Sequence, residues 1–218
     1  MEGNLSLVTS ALPLLFKGAL VTLEVSVLAI LLGIGVGLVL AMIRLTRYRL
    51  LKIPANLYIS FVRGTPLLIQ IFIVFYSLPA IGLDIPAFQA GVLALSLNSG
   101  AFVAEIIRGG IQAIPRGQVE AAQALGMPKF LIVRRIILPQ VWAMVIPPLT
   151  NEFITILKAS PLLSIITVVE LTRAGQQIVS VTYRPVEIYL LVAVLYLIIN
   201  FSLARITGVL ERRAALTR

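Results

Sequence analysis

The chain contains no cysteine and no histidine. The first absence excludes a thiol nucleophile and a disulfide framework, and the two together remove the usual zinc and haem ligand sets, so no metal site is expected. Acidic residues are also scarce, nine against eighteen Lys and Arg, and charged residues of both signs make up only 12% of the 218 positions. Soluble domains are nearer a quarter charged. What fills the sequence instead is apolar: 59% of residues are hydrophobic and the mean hydropathy is +1.03. An integral membrane protein follows. The formal net charge of +9 points to nucleic acid only until the charges are placed. They fall in short clusters at the ends of apolar runs, as membrane anchors do. The partner expected from composition is therefore the lipid bilayer, with no nucleic acid.

Five apolar runs are legible, and they predict an all-α membrane protein of about five transmembrane helices in a single domain, 1–218. The spans are expected at about 12–43, 54–79, 85–107, 136–157 and 186–204, with a polar connection at about 108–135. A span needs about 20 residues. The first apolar run begins near Val8, is interrupted by Lys17 and Glu24, and exceeds that length, so its first turns are expected along the membrane surface. Only Glu2 precedes it as a charge, which argues against a cleaved signal peptide. One set of connections holds thirteen Lys and Arg: Arg44, Arg47, Arg49, Lys52, Arg108, Arg116, Lys129, Arg134, Arg135, Arg205, Arg212, Arg213 and Arg218. The other holds four, Lys17, Lys158, Arg173 and Arg184, while Arg63 sits just inside the second span. This asymmetry predicts an outside N-terminus and a cytoplasmic C-terminus.

The 108–135 connection carries a short, well-punctuated helix. Pro115 suits a first turn, where its missing N–H costs nothing, and Glu120 favours the N-terminal part of the dipole. Ala121, Ala122 and Ala124 are strong helix formers, Gly126 supplies a left-handed stop and Pro128 prevents continuation. A helix of about ten residues is marginal alone in water. It either docks on a partner or is a tight re-entry turn between spans, and physics alone leaves both open.

Glu120-Ala121-Ala122, three residues, Gly126, nine residues and then Ile136-x-Leu138-Pro139 resembles the EAA signature of ATP-binding-cassette (ABC) importer permeases, with every position filled. Arg63-Gly-Thr-Pro-Leu-Leu68, Ala104-Glu-Ile-Ile-Arg-Gly109, Pro115-Arg-Gly-Gln118, Leu138-Pro-Gln140 and Pro148-Leu-Thr-Asn151 are similar to the polar amino acid branch of that family. Leu157-Lys158, Leu163-Ser164 and Glu170-Leu171 extend the similarity to about residues 15–210. Pro161 after Ser160, and Glu24 in the first span, depart from it.

The resemblance implies a type I ABC importer fold and a division of labour. Two permease subunits, identical or related, would form the path, two cytoplasmic ATPase subunits would power it, and an extracytoplasmic binding protein would deliver an amino acid. This chain has no G-x-x-x-x-G-K-[S/T] loop, so ATP is expected on the partner, with no cofactor here and no enzyme activity of its own. The helix bearing Glu120, Ala121, Ala122 and Gly126 would be the coupling helix seated in the ATPase. Arg116 would pair with partner acids or serve as an anchor. Leu67 and Leu162 would form an apolar gate. The implied location is the bacterial cytoplasmic (inner) membrane.

Polar groups inside apolar spans are costly and normally face protein or water. Asn98 lies in the third run; Asn151, Glu152, Thr155 and Lys158 follow Pro147-Pro148 in the fourth. Glu152, Thr155 and Lys158 recur every three residues as a stripe, beside two prolines expected to break or bend the helix. Broken helices mark binding sites in other transporters. A zwitterionic amino acid needs an acceptor for its ammonium and a donor for its carboxylate, which Glu152 and Lys158 supply. The alternative is a Glu–Lys pair that neutralises itself. Gly33 and Gly37 read as close helix packing, Glu24 as an outer-interface residue, and Tyr48, Tyr58 and Trp142 as interface anchors. The stretch 159–185 is too polar in its second half for a span, and Glu170, Arg173 and Gln176 are expected to face the binding protein.

Overall fold

The computed structural model describes the backbone of residues 2–215 and the side chains of 7–208; the side chains of Glu2, Arg212, Arg213 and Arg218 lie outside the described residues. Every regular element among those described is helical. In order they are α1 (Glu2–Leu45), α2 (Arg49–Gly64), α3 (Leu67–Ala80), α4 (Ala87–Gln112), α5 (Arg116–Ala124), α6 (Lys129–Ile132), α7 (Leu138–Ala159), α8 (Leu171–Thr182) and α9 (Pro185–Ala215). One π-helical turn, Val133–Ile137, joins α6 to α7, and a 3-10 segment, Ser160–Ile166, follows α7. Four stretches are long and apolar enough to cross a membrane: Leu7–Leu45, Ala87–Gln112, Lys129–Ile166 and Pro185–Gly208. The α2–α3 pair makes a fifth when counted as one bent span.

α1 and α4 form the closest pair. A Cβ added at Gly37 would fall 2.5 Å from Val103 Cγ1, and one at Gly33 would fall 2.8 Å from Ser99 Oγ. From the facing helix, a Cβ at Gly100 would meet Val36 at 2.6 Å. Lipid supplies no hydrophobic drive for helix association, so close backbone packing of this kind substitutes for it. Val25, Ala29, Ile71, Leu95, Ile156 and Leu163 build one buried cluster where α1, α3, α4, α7 and the 3-10 segment meet. Leu15, Ala19, Leu171, Ala174, Ile188 and Val192 build a second, binding α8 and α9 to the first half of α1.

Two stretches differ from the expectation of simple spans. Residues 54–79 are divided between α2 and α3, which meet at 115°. Thr65 precedes a proline and is held extended (φ −119, ψ 147), so the helix ends there and restarts in a new direction. The fourth span, by contrast, runs as one helix through Pro147-Pro148. The departures from α geometry fall on either side. Pro139 has no N–H for the Arg135 carbonyl, and the ladder widens to the π register just before it. Pro161 opens the 3-10 segment at the other end.

Candidate transport path and coupling surface

α5 carries its terminal punctuation as the sequence implies, but Glu120 falls at the middle of the helix and not in its first turn. Pro115 precedes the first helical residue, and Gly126 adopts φ +74. Met127 N–H donates to the Ala122 carbonyl (3.1 Å) and Gly126 N–H to Gln123 (2.9 Å), a Schellman-type closure that a residue with a Cβ would strain. Ala122 turns inward and is buried, whereas Arg116, Glu120 and Ala121 are exposed. The amide of Gln140 on α7 donates to Gln118 on α5 (2.7 Å). A cleft of about 700 Å³ lies between α5 and the end of α4, lined by Gln112, Ile114, Arg116, Glu120, Gln123 and Ile137. Two side chains that sequence reasoning passed over stand beside it. Leu125 is 81% exposed and Phe130 68%, large apolar groups at the polar end of the bundle.

Inside the membrane the polar residues separate into two environments. Asn98 is buried, and its amide donates to Gln70 Oε1 at 2.9 Å. Gln70 Nε2 in turn faces three acceptors, the carbonyls of Val62 (2.8 Å) and Thr65 (3.1 Å) and Thr65 Oγ1 (2.9 Å), which share its two protons. Asn98 thus reaches the α2–α3 elbow through Gln70. Its neighbour Ser99 is fully buried and stands by Glu152 of α7. Thr155 bonds back to the Asn151 carbonyl at 2.9 Å, and Asn151 is exposed.

Lys158 belongs to the other environment. It lines a groove of about 540 Å³ between α7 and α9 with Ile154, Pro161, Tyr196, Asn200 and Phe201. Asn200 donates to the Tyr196 carbonyl (2.8 Å), and its Oδ1 is buried without a partner. Successive three-residue steps rotate by about 60° around a helix, so the Glu152–Thr155–Lys158 stripe winds from the α4 side to the α9 side. No ion pair joins Glu152 to Lys158. Leu67, the first residue of α3 after the elbow, and Leu162 in the 3-10 segment both pack, half-buried, against the first core cluster. Gln70, Tyr196 and Asn200 were legible as polar interruptions of apolar runs, the same signal that singled out Asn98.

Glu170 is not available to an external partner. It is fully buried as the N-cap of α8, accepting from Thr172 N (2.9 Å), Arg173 N (2.7 Å) and Tyr196 Oη (2.8 Å). Burial pushes its carboxyl up from the usual carboxylate range, against the pull of these hydrogen bonds. Arg173 and Gln176 bond to each other at 3.1 Å. Tyr58 is an internal tie, its hydroxyl donating to the Leu97 carbonyl at 2.7 Å, while Tyr48 and Trp142 are exposed. At the α5 end of the bundle, Glu105 forms ion pairs with Arg44 of α1 and with Arg108.

A bundle of apolar helices with polar groups along its interior and a short exposed helix at one end defines a membrane transport subunit. The chain belongs to the family of binding-protein-dependent transport system inner membrane components, whose model matches residues 29–216. A putative glutamine transport system permease protein of Rickettsia conorii is 41% identical over 198 residues, 90% of this chain and 91% of that protein. An L-cystine transport system permease protein of Bacillus subtilis is 40% identical over 92% of this chain and 86% of its own length. Among solved structures, an amino acid ABC transporter crystallised with histidines superposes with a TM-score of 0.89 at 42% identity, covering 96% of this chain and 97% of that one. The MetNI methionine transporter matches at a TM-score of 0.71 and 22% identity, a likeness of fold. The protein is a permease component with the type I importer fold.

Proposed function

We propose that this chain is the permease subunit of an ATP-driven importer that carries polar amino acids into the cytoplasm. It works with a second permease subunit, a copy or a relative, with ATPase subunits docked on α5 and with an extracytoplasmic amino-acid-binding protein. ATP binds to the partner, and the chain itself is not an enzyme. The N-terminus lies outside and the C-terminus in the cytoplasm of the bacterial inner membrane, as the Lys and Arg asymmetry favours. One observation carries the reading of the path: Glu152 and Lys158 sit within an apolar span and are not spent on each other. Ionisable groups in such a span are costly unless they serve an interior or aqueous route, and along that route Glu152 offers an acceptor for ammonium on the α4 side and Lys158 a separate donor for carboxylate on the α9 side. Asn98, Asn151 and Thr155 add uncharged hydrogen-bonding groups, and Leu67 and Leu162 are the gate residues. The substrate class follows the names of the relatives, which include glutamine and cystine permeases.

The test is uptake into vesicles containing the complete complex, with a panel of radiolabelled amino acids. Uptake of a polar class that disappears without ATP is the expected result. Glu120→Lys, exposed on α5, is expected to leave the chain in the membrane while abolishing binding-protein-stimulated ATP hydrolysis. Uptake driven by an ion gradient in the absence of the ATPase would overturn the assignment.

A further inference from the structure

From Val25 to Leu83 the sequence has no Asp or Glu, yet it carries Arg44, Arg47, Arg49, Lys52 and Arg63. The structure neutralises only part of this charge. Arg44 is paired with Glu105, and the Arg63 guanidinium lies 6.0 Å from the Phe102 ring. Arg47, Arg49 and Lys52 form no ion pair among the described residues. All three stand where α1 ends and α2 begins, and the Arg44–Glu105 pair places this turn at the same end of the bundle as α5, into which α4 leads.

α2 itself has three faces. Ala55, Ile59 and Val62 are buried, Ile59 and Val62 in a cluster with Ala101 and Ala104 of α4. A second face is apolar and uncovered: Leu50 is 84% exposed, Ile53 62%, Leu57 71% and Phe61 49%. The third carries Arg49, Lys52, Asn56 and Ser60. Because α2 and α3 meet at 115°, both cannot run along the membrane normal. α3 carries no charged residue and its one amide, Gln70, is buried and hydrogen-bonded, so α2, with its cations, is the helix that lies along the boundary. An amphipathic helix with a basic face and a bare apolar flank is built to sit between headgroups and acyl chains.

We propose that Arg47, Arg49 and Lys52, with the apolar flank of α2, form a binding site for anionic phospholipid headgroups. The apolar side chains insert among acyl chains, and the three unpaired cations select phosphodiester headgroups of net negative charge over zwitterionic ones. This inference rests on the membrane location of the bundle and not on the identity of the transported solute. Each cation at an anionic surface contributes about a fivefold preference, so the three together give about a hundredfold at low salt, falling as ionic strength rises.

The absence of native cysteine in this chain allows a fluorophore to be attached at Leu50→Cys of the purified permease before it is assembled with its partners and reconstituted with brominated phosphatidylglycerol or brominated phosphatidylcholine as quencher. Quenching is expected from both lipids, at much lower mole fraction for phosphatidylglycerol. Arg47→Gln, Arg49→Gln and Lys52→Gln together should abolish the difference while leaving the quenching itself, and Arg47→Lys with Arg49→Lys should retain it. Equal quenching by the two lipids, or selectivity that survives the triple neutral variant, would overturn the proposal. Absence of quenching by either lipid would overturn it too, by showing that protein covers this face.

Discussion

Replacing Gln70 by Leu removes the one side chain that holds both sides of the α2–α3 elbow. Its Nε2 faces three acceptors, Val62 O, Thr65 O and Thr65 Oγ1, but has only two protons to give them. With the bond accepted from Asn98, the effective count is three hydrogen bonds. Hydrogen bonds between helices in membranes average about 0.6 kcal/mol and reach about 1.7, because the unfolded chain in lipid also finds partners. The expected loss is therefore about 2 kcal/mol. The Gln70–Asn98 component should appear as a coupling of about 0.6 to 1.7 kcal/mol in a double-mutant cycle of Gln70→Leu and Asn98→Leu. Reversible unfolding of the purified complex in mixed detergent measures it. Uptake provides a second reading, since Leu67 opens α3 only three residues before Gln70. If the two substitutions are additive, Asn98 does not act through Gln70, and its place in the structure has to be explained by the path alone.

Three further outcomes are expected. Because Glu152 and Lys158 face different helices, exchanging them (Glu152→Lys with Lys158→Glu) should fail to restore uptake lost in the single variants; recovery in a transport assay would show that they act as a pair. Gly37→Leu should destabilise by at least the 1–3 kcal/mol typical of overpacking, whereas Gly35→Ala, with nothing within 4 Å of its added Cβ, should be near neutral in thermal unfolding. Glu170→Ala removes the α8 cap and the acceptor for Tyr196, costing about 0.5–2 kcal/mol for the cap alone, and unchanged stability would show that Tyr196, Ser160 and Thr172 suffice to hold this corner.

How far the sequence could be read depended on whether the physics was local. α5 was legible in detail because its signals are covalent neighbours: Pro115 before it, alanines within it, and Gly126 needing positive φ just after it. The glycine-to-glycine spacing of α1 announced close packing in the same way, though not that α4 was the partner. Prolines misled where lipid and protein surroundings tolerate their missing donors. Pro147-Pro148 lie inside an unbroken helix, while Pro66 and Pro139 stand at the real departures from straight α geometry. Burial was hardest to foresee. Glu170 reads as a surface acid beside a polar stretch, and only its position at the start of α8, under Tyr196 of a helix 26 residues away in sequence, makes it a buried cap. Glu152 and Lys158 share a period on paper; the winding of a three-residue stripe around the helix separates them in space.

The packing also determines how a displacement of α5 would travel. Gln118 ties α5 to Gln140 at the start of α7, and Ile114, just before α5, packs with Val141 and Val145 of the same helix. A Cβ at Gly110 would lie 2.6 Å from Val145, so the last turn of α4 has no slack against α7. α4 in turn grips α1 through Gly33, Gly37 and Gly100, and is pinned at its α5 end by the Arg44–Glu105 pair. A push on α5 therefore moves α4, α7 and α1 together rather than one helix past another, which is the behaviour of a rigid group. What can yield lies at its margins: the π turn at Val133–Ile137, where the hydrogen-bond register is already loosened, and the elbow at Thr65-Pro66, where α2 and α3 share no continuous ladder. Leu67 and Gln70 sit on the far side of that elbow, so motion of the group relative to α3 would be felt first at these two residues.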